Sequence, residues 1–275
     1  MKFFKEQFLP LILTVVIFIF LSSLLFLLIR VLNTFSSEKI ILQIRSQDII
    51  IGLTIYLKTS VDFAIFIGNL MNSNPGWKKR IAIETGTALG NALGTFLILI
   101  IWSFFKEVDI LLAAMIIIAS LVLFRLAQDG LDHAKSSQVH LPETFNSLVD
   151  QSDVVLTKFN NIFGPILNKL IPHRLSQVKN FNFWALISVS FSIPFILGLD
   201  DFAGYVPLFD IINVFGFAIG VFAGHAILNA FLFISPSRTI TLVKNPYISF
   251  AGSIAFVLIA IWGIFEASKI LFGIH

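Results

Sequence analysis

The chain has 275 residues and a net charge of only +3. Hydrophobic residues make up 57% of it and charged residues 13%, with a mean hydropathy of +0.91; a soluble domain carries about twice that share of charge, so this much apolar surface needs lipid as its solvent. There is no cysteine, which excludes disulfides and thiolate metal sites, and the basic residues fall between apolar runs, where they read as orientation signals and not as a nucleic-acid footprint.

A span needs about 20 mostly apolar residues, and seven stretches meet or approach that length. The first, Phe8–Ile29, follows Lys2 and Lys5 as a signal peptide would. Its apolar run is too long for such a core and no small-x-small cleavage site follows, so it is expected to stay as a helix. Ile49–Met71, Ile81–Phe105 and Ile110–Ala127 come next. A long connection then runs from Gln128 to Asn180. Within it Val155, Phe159, Ile162, Phe163, Ile166, Leu167 and Leu170 recur at helical spacing, with Lys158 and Lys169 between them. That pattern predicts an amphipathic helix at about 142–172, either lying on the membrane surface with a partner to recruit or packed under the bundle. Phe181–Leu199, Ile211–Ser235 and Tyr247–Phe272 complete the set.

Assigning the connections alternately to two sides puts thirteen Lys and Arg on the side of the N-terminus and five on the other, with Lys58 inside a span. The positive-inside rule then predicts a cytoplasmic N-terminus and an outer C-terminus, as in a bacterial inner membrane. The connection holding Asp200, Asp201 and Asp210 has no Lys or Arg and falls outside, as the rule expects.

Short phrases recur between the two halves. Val61-Asp62-Phe63-Ala64 resembles Asp200-Asp201-Phe202-Ala203, and Gly90-Asn91-Ala92-Leu93 resembles Gly224-His225-Ala226-Ile227. The helices carrying the second pair also have glycines every four residues (Gly86, Gly90, Gly94 and Gly216, Gly220, Gly224), a stripe that lets helix backbones meet closely in lipid. The expected architecture is therefore all-α and polytopic. Residues 1–47 form an N-terminal helix and outer loop, 48–127 a first three-helix repeat, 128–180 a cytoplasmic loop and 181–275 a second repeat, inverted relative to the first. A substrate site is expected between such repeats near mid-membrane.

Ionisable and amide groups in lipid mark a pathway or a site by default. Asp62, Asp201, Asn91, His225 and Asn229 make a candidate polar centre. Their oxygens and one imidazole suit a hard or borderline divalent cation such as manganese, as substrate and not as a resident cofactor. Structural readings stand beside this one. Lys58 and Asp62 can neutralise each other as an i,i+4 pair, and Asp200 and Asp201 can sit in water. His225 can make an interhelical hydrogen bond, Glu84 can be interfacial after Lys78-Lys79-Arg80, and Glu266 can pair with Lys269. Pro194 and Gly198 are expected to break their helix. The chain lacks GxxxxGK[ST], GxGxxG and HExxH, and His133 and His140 have no ligands at a metal-binding spacing, so no enzyme is expected.

Thr59-Ser60-Val61-Asp62-Phe63-Ala64-Ile65-Phe66-Ile67-Gly68, Gly198-Leu199-Asp200-Asp201 and the ending that opens at Lys244-Asn245-Pro246 and closes at Glu266-Ala267 together resemble the TerC family of membrane proteins, within the LysE-type exporters. The resemblance spans roughly 48–272 without the cytoplasmic loop. It implies manganese export or tellurium resistance, with Asp62 and Asp200 as the carboxylates of the two repeats and Asp201 competing with Asp200. The chain departs from the family's pattern at Tyr56 and Pro194, where acidic residues usually stand, at Phe63 in place of Asn, and at Lys58. The expected function is export of a divalent cation by alternating access. The alternatives are a membrane factor that transports nothing and an exporter of a small organic solute.

Overall fold

In the computed structural model the described residues are 9–135, 142–170, 182–203, 205–209 and 211–273; the side chains of 159, 162–170, 193 and 196–203 are outside that description. Every regular element among the described residues is helical. In chain order these are α1 (Leu9–Phe35), α2 (Ser46–Thr59), α3 (Val61–Ser73), α4 (Trp77–Phe105), α5 (Asp109–Lys135), α6 (Glu143–Leu170), α7 (Phe183–Ala203), a 3₁₀ turn (Val206–Leu208), α8 (Val214–Ile234), α9 (Pro236–Val243) and α10 (Pro246–Phe272).

Five of these, α1, α4, α5, α8 and α10, are long and apolar enough to cross a bilayer. The stretch expected as one straight second span is two helices, α2 and α3, bent by 63°. The bend falls at Ser60, whose φ of −82° and ψ of 23° leave the helical range. Just before it the Thr59 hydroxyl donates to the Tyr56 carbonyl, the kind of local competition by a hydroxyl that bends helices. In α7 the described apolar stretch is shorter, Phe183–Ser192. Pro194 lies inside that helix, which runs on to Ala203 where the sequence suggested a break.

Helix ends follow local chemistry. Asn245 caps α10 by accepting from the backbone N–H groups of Tyr247 and Ile248, and Pro246 occupies its first turn. Asn213 accepts from the Gly216 N–H at the start of α8 and donates to the Ile41 carbonyl, which ties the α1–α2 connection to the same end. At that face the hydroxyls of Ser36 and Ser37 and two backbone N–H groups donate to Glu107, holding its carboxyl down to about 2.

Close approach decides the packing. A Cβ on Gly90 would stand 2.3 Å from the Phe191 carbonyl oxygen, and one on Gly220 would stand 2.2 Å from that of Ile49. The expected glycine stripes therefore seat α4 on α7 and α8 on α2. The registers run in parallel, Gly86 by Ile187 and Gly90 by Phe191, Gly216 by Asp48 and Gly224 by Tyr56. Helices α5 and α10 pack antiparallel, with Gly130 against Ser253 and Gly263 against Ser120. Helix α1 lies outside these pairs. It buries only the seam Leu21, Leu25, Ile29 and Leu32, with Pro10 and Thr14, against α8 and α4.

The first part of the amphipathic segment packs on the bundle, while the side chains of Phe159, Ile162, Phe163, Ile166, Leu167 and Leu170, which carry the pattern, lie outside the described residues. Helix α6 runs antiparallel along α5. Lys135 meets Asp150 and Asp153 at 2.9 and 2.7 Å, Gln128 donates to Thr157, and Asn160 donates to the Phe124 carbonyl and to Gln128.

Candidate functional site

The polar groups buried between α2, α4 and α8 form one connected network. Glu84 and Thr87 are a turn apart on one face of α4 and His225 and Asn229 a turn apart on α8, all at most 4% exposed. The Asn229 side-chain nitrogen donates to Glu84 Oε2 at 2.7 Å and lies 3.3 Å from Thr87 Oγ1 and 3.0 Å from His225 Nε2. On the far side of the ring, His225 Nδ1 lies 2.8 Å from the Tyr56 hydroxyl of α2. An amide nitrogen only donates, so Nε2 accepts from it, and Nδ1 carries the proton and donates to Tyr56.

The donor count does not balance. One amide NH2 has two hydrogens for three acceptors, Asn229 Oδ1 is buried without a hydrogen-bond partner, and the Thr14 hydroxyl of α1 stands by the Glu84 carboxylate. A small cavity with room for about one water reaches this point from α1; Thr14, Ile17, Phe18 and Leu21 line it opposite Glu84, His225 and Phe222. Glu84 is therefore a fully buried member of the centre and not an interfacial residue. The charge of Arg80 one turn away masked that in the sequence, because the cover comes from α1, far away along the chain.

The sequence candidates divide. His225 and Asn229 lie in the network. Asn91 is buried on α4, two turns beyond Glu84 on the same face. Asp62 is on another face. Its side chain is 58% exposed and pairs with His133 of α5 at 3.1 Å, while its neighbour Phe63 points inward, its ring centroid 5.4 Å from that of His225. Successive helical residues are about 100° apart, so once Phe63 takes the interior, Asp62 cannot. Lys58 and Asp62 form no ion pair, because the bend at Ser60 lies between them. Instead the Lys58 stem runs over Gly252 of α10. The side chains of Asp200 and Asp201 lie outside the described residues; their backbone closes the last turn of α7. Among the described residues no cluster of three or more His, Asp or Glu is disposed to hold a metal. Glu266 pairs with Lys269 at 3.1 Å.

Tyr56, Thr87 and Glu84 were not among the sequence candidates. The signal for Glu84 was available, since Glu84, Asn91 and Thr95 share one helical face that avoids the glycines. Comparisons with protein-family models, with curated proteins and with solved structures find no match to this chain.

Proposed function

We propose that this chain is a membrane transporter that exports a divalent cation of manganese type by alternating access, with Glu84, Asn229 and His225 at the binding point. The observation that carries the reading is the position of the Asn229 amide nitrogen, where a carboxylate, an imidazole nitrogen and a hydroxyl converge within 3.3 Å. Turning that amide over puts its carbonyl oxygen, now unpartnered, at the same point. The donors then become a carboxylate oxygen, an amide oxygen, a hydroxyl and an imidazole, a mixed hard and borderline set that suits manganese and its neighbours. A carboxylate in lipid without a cation or proton is costly, so the site has reason to be loaded.

The wider reading is seven crossings, with α2–α3 as one broken span and α7 as another, in one plus three plus three order. Exchanging the two halves maps the α4–α7 contact onto the α8–α2 contact and the α5–α10 contact onto itself, which is what an inverted repeat requires. The charge bias supports a cytoplasmic N-terminus. The resemblance to TerC proteins supports a metal cargo. It assigns Asp62 and Asp200 as ligands, whereas burial favours Glu84 over Asp62. Asp200 and Asp201 enter from the sequence alone.

Export of a small organic carboxylate is a second reading. It is favoured by Lys58, half-buried and without an ion pair among the described residues. The test is flux of manganese, cadmium and lysine in proteoliposomes, with Glu84→Gln as the control. Manganese flux that falls at least tenfold in Glu84→Gln supports the site. Flux indifferent to the change removes it, lysine flux alone moves the cargo to the second reading, and no flux of any probe leaves a membrane factor that transports nothing.

A further inference from the structure

The bend between α2 and α3 lies directly beside the buried network, and both arms touch the same imidazole. Tyr56, one turn before the bend, meets His225 through its hydroxyl at 2.8 Å. Phe63, one turn after it, covers the ring at 5.4 Å and is 3% exposed. The α3 arm buries Ala64, Ile67, Leu70 and Met71 against its neighbours, α8, α4 and α7 among them, and two further contacts mark its ends. Its far end rests on α9, where Gly68 meets Ile240 and Asn72 donates to Ser237. Its first turn is held to α5 by the Asp62–His133 pair. Around that pair stand Lys58 from α2 and Asp129 from α5, while Lys135 is taken up by Asp150 and Asp153 of α6.

We propose that α3 is a gate, hinged at Ser60, that closes one side of the buried network by laying Phe63 over His225, and that the Asp62–His133 pair is the latch that holds it shut. Three observations meet here. The break occurs in a segment that must otherwise span, and its non-helical backbone at Ser60 is buried in protein, the setting in which such backbone is tolerated at membrane depth. Asp62 and Phe63 are adjacent, so whatever holds the carboxylate places the ring. The pair itself is partly exposed, with side chains 58% and 27% accessible. Such a pair contributes little to fold stability, so a movement can break it and remake it without unfolding the bundle. The inference rests on the transporter reading for what the gate serves, but its test does not use transport.

The chain has no cysteine, so one introduced thiol is the only thiol. Ser60 is 1% exposed and its hydroxyl has no hydrogen-bond partner, which makes Ser60→Cys a reporter buried beneath the closed arm. A membrane-impermeant maleimide is applied to vesicles of both orientations. The Ser60→Cys protein is expected to label slowly from both faces. Adding Asp62→Asn or His133→Gln should speed labelling about two- to fivefold, the population change a half-exposed pair can supply. The acceleration should come from the face that carries α3 and α9 only. Exchanging the partners, Asp62→His with His133→Asp, should restore the slow rate. The gate is overturned if both single changes leave labelling unchanged, if the acceleration comes from both faces or the opposite one, or if the exchanged pair labels as fast as the single variants.

Discussion

His225 is held from both sides by groups of different kinds. The Tyr56 hydroxyl accepts from Nδ1, Asn229 donates to Nε2, and Phe63 covers the ring. In lipid no water replaces a lost partner, so each polar contact counts through the cost of leaving the other group alone. Tyr56→Phe keeps the packing and removes the hydroxyl, leaving a buried imidazole N–H unpaired. We expect about 1–3 kcal/mol of destabilisation, read as a lower unfolding midpoint in detergent. Tyr247→Phe, at a position 51% exposed, should shift that midpoint by less than about 0.5 kcal/mol. At this scale the sequence was half legible. His225 and Asn229 announce themselves as polar residues one turn apart in an apolar helix. Asp62 announces itself equally well, yet faces away. The sequence reading set Lys58 and Asp62 four residues apart on one straight helix, and the bend at Ser60 shifts the phase between them. No proline or glycine marks the bend. Thr59 and Ser60 are ordinary small polar residues in an apolar run, and nothing local distinguishes a hydroxyl that bends a helix from one that does not.

Among the elements, α4 and α8 do the same work with the same device. Each lays a glycine stripe on the first helix of the other half and turns its polar face to the centre, so Glu84 and Asn229 meet because Gly90 and Gly220 let the backbones close. This part was legible, because a four-residue glycine period has few other uses in a lipid-embedded helix. Its partners were not legible, since nothing in Gly220 names Ile49. Gly220→Ala should push α8 from α2, its Cβ standing 2.2 Å from a backbone carbonyl that cannot rotate away. We expect a loss of about 1–3 kcal/mol, typical of overpacking. Binding of manganese should weaken in step, because His225 and Asn229 ride on the same helix. Leu93→Ala, on the 46% exposed face of α4, is the control and should change neither.

For the whole molecule, the directions of the paired helices constrain how the chain threads the bilayer. Helices α2 and α8 run parallel, as do α4 and α7, while α5 and α10 are antiparallel. Suppose that α2–α3 dipped into the membrane and returned instead of crossing. Helix α4 would then begin on the side where α2 begins, and α7, parallel to it, would begin there too. A crossing α7 would pass the chain to α8 on the opposite side, and α8 would run antiparallel to α2, against the observed register. The parallel pairs therefore favour a broken but complete crossing, with α3 on the side opposite the α1–α2 connection. Neither arm spans alone, since helices of 14 and 13 residues rise only about 21 and 20 Å against a hydrocarbon core of about 30 Å. Single cysteines decide the point. Lys39→Cys lies in the exposed α1–α2 connection and Ser73→Cys at the exposed end of α3. An impermeant maleimide should reach them from opposite faces of the membrane, with Ser73→Cys labelled from the face where the basic residues gather. Labelling of both from one face would make α2–α3 a re-entrant loop, move every later connection to the other side, and remove the inverted repeat together with the gate it frames.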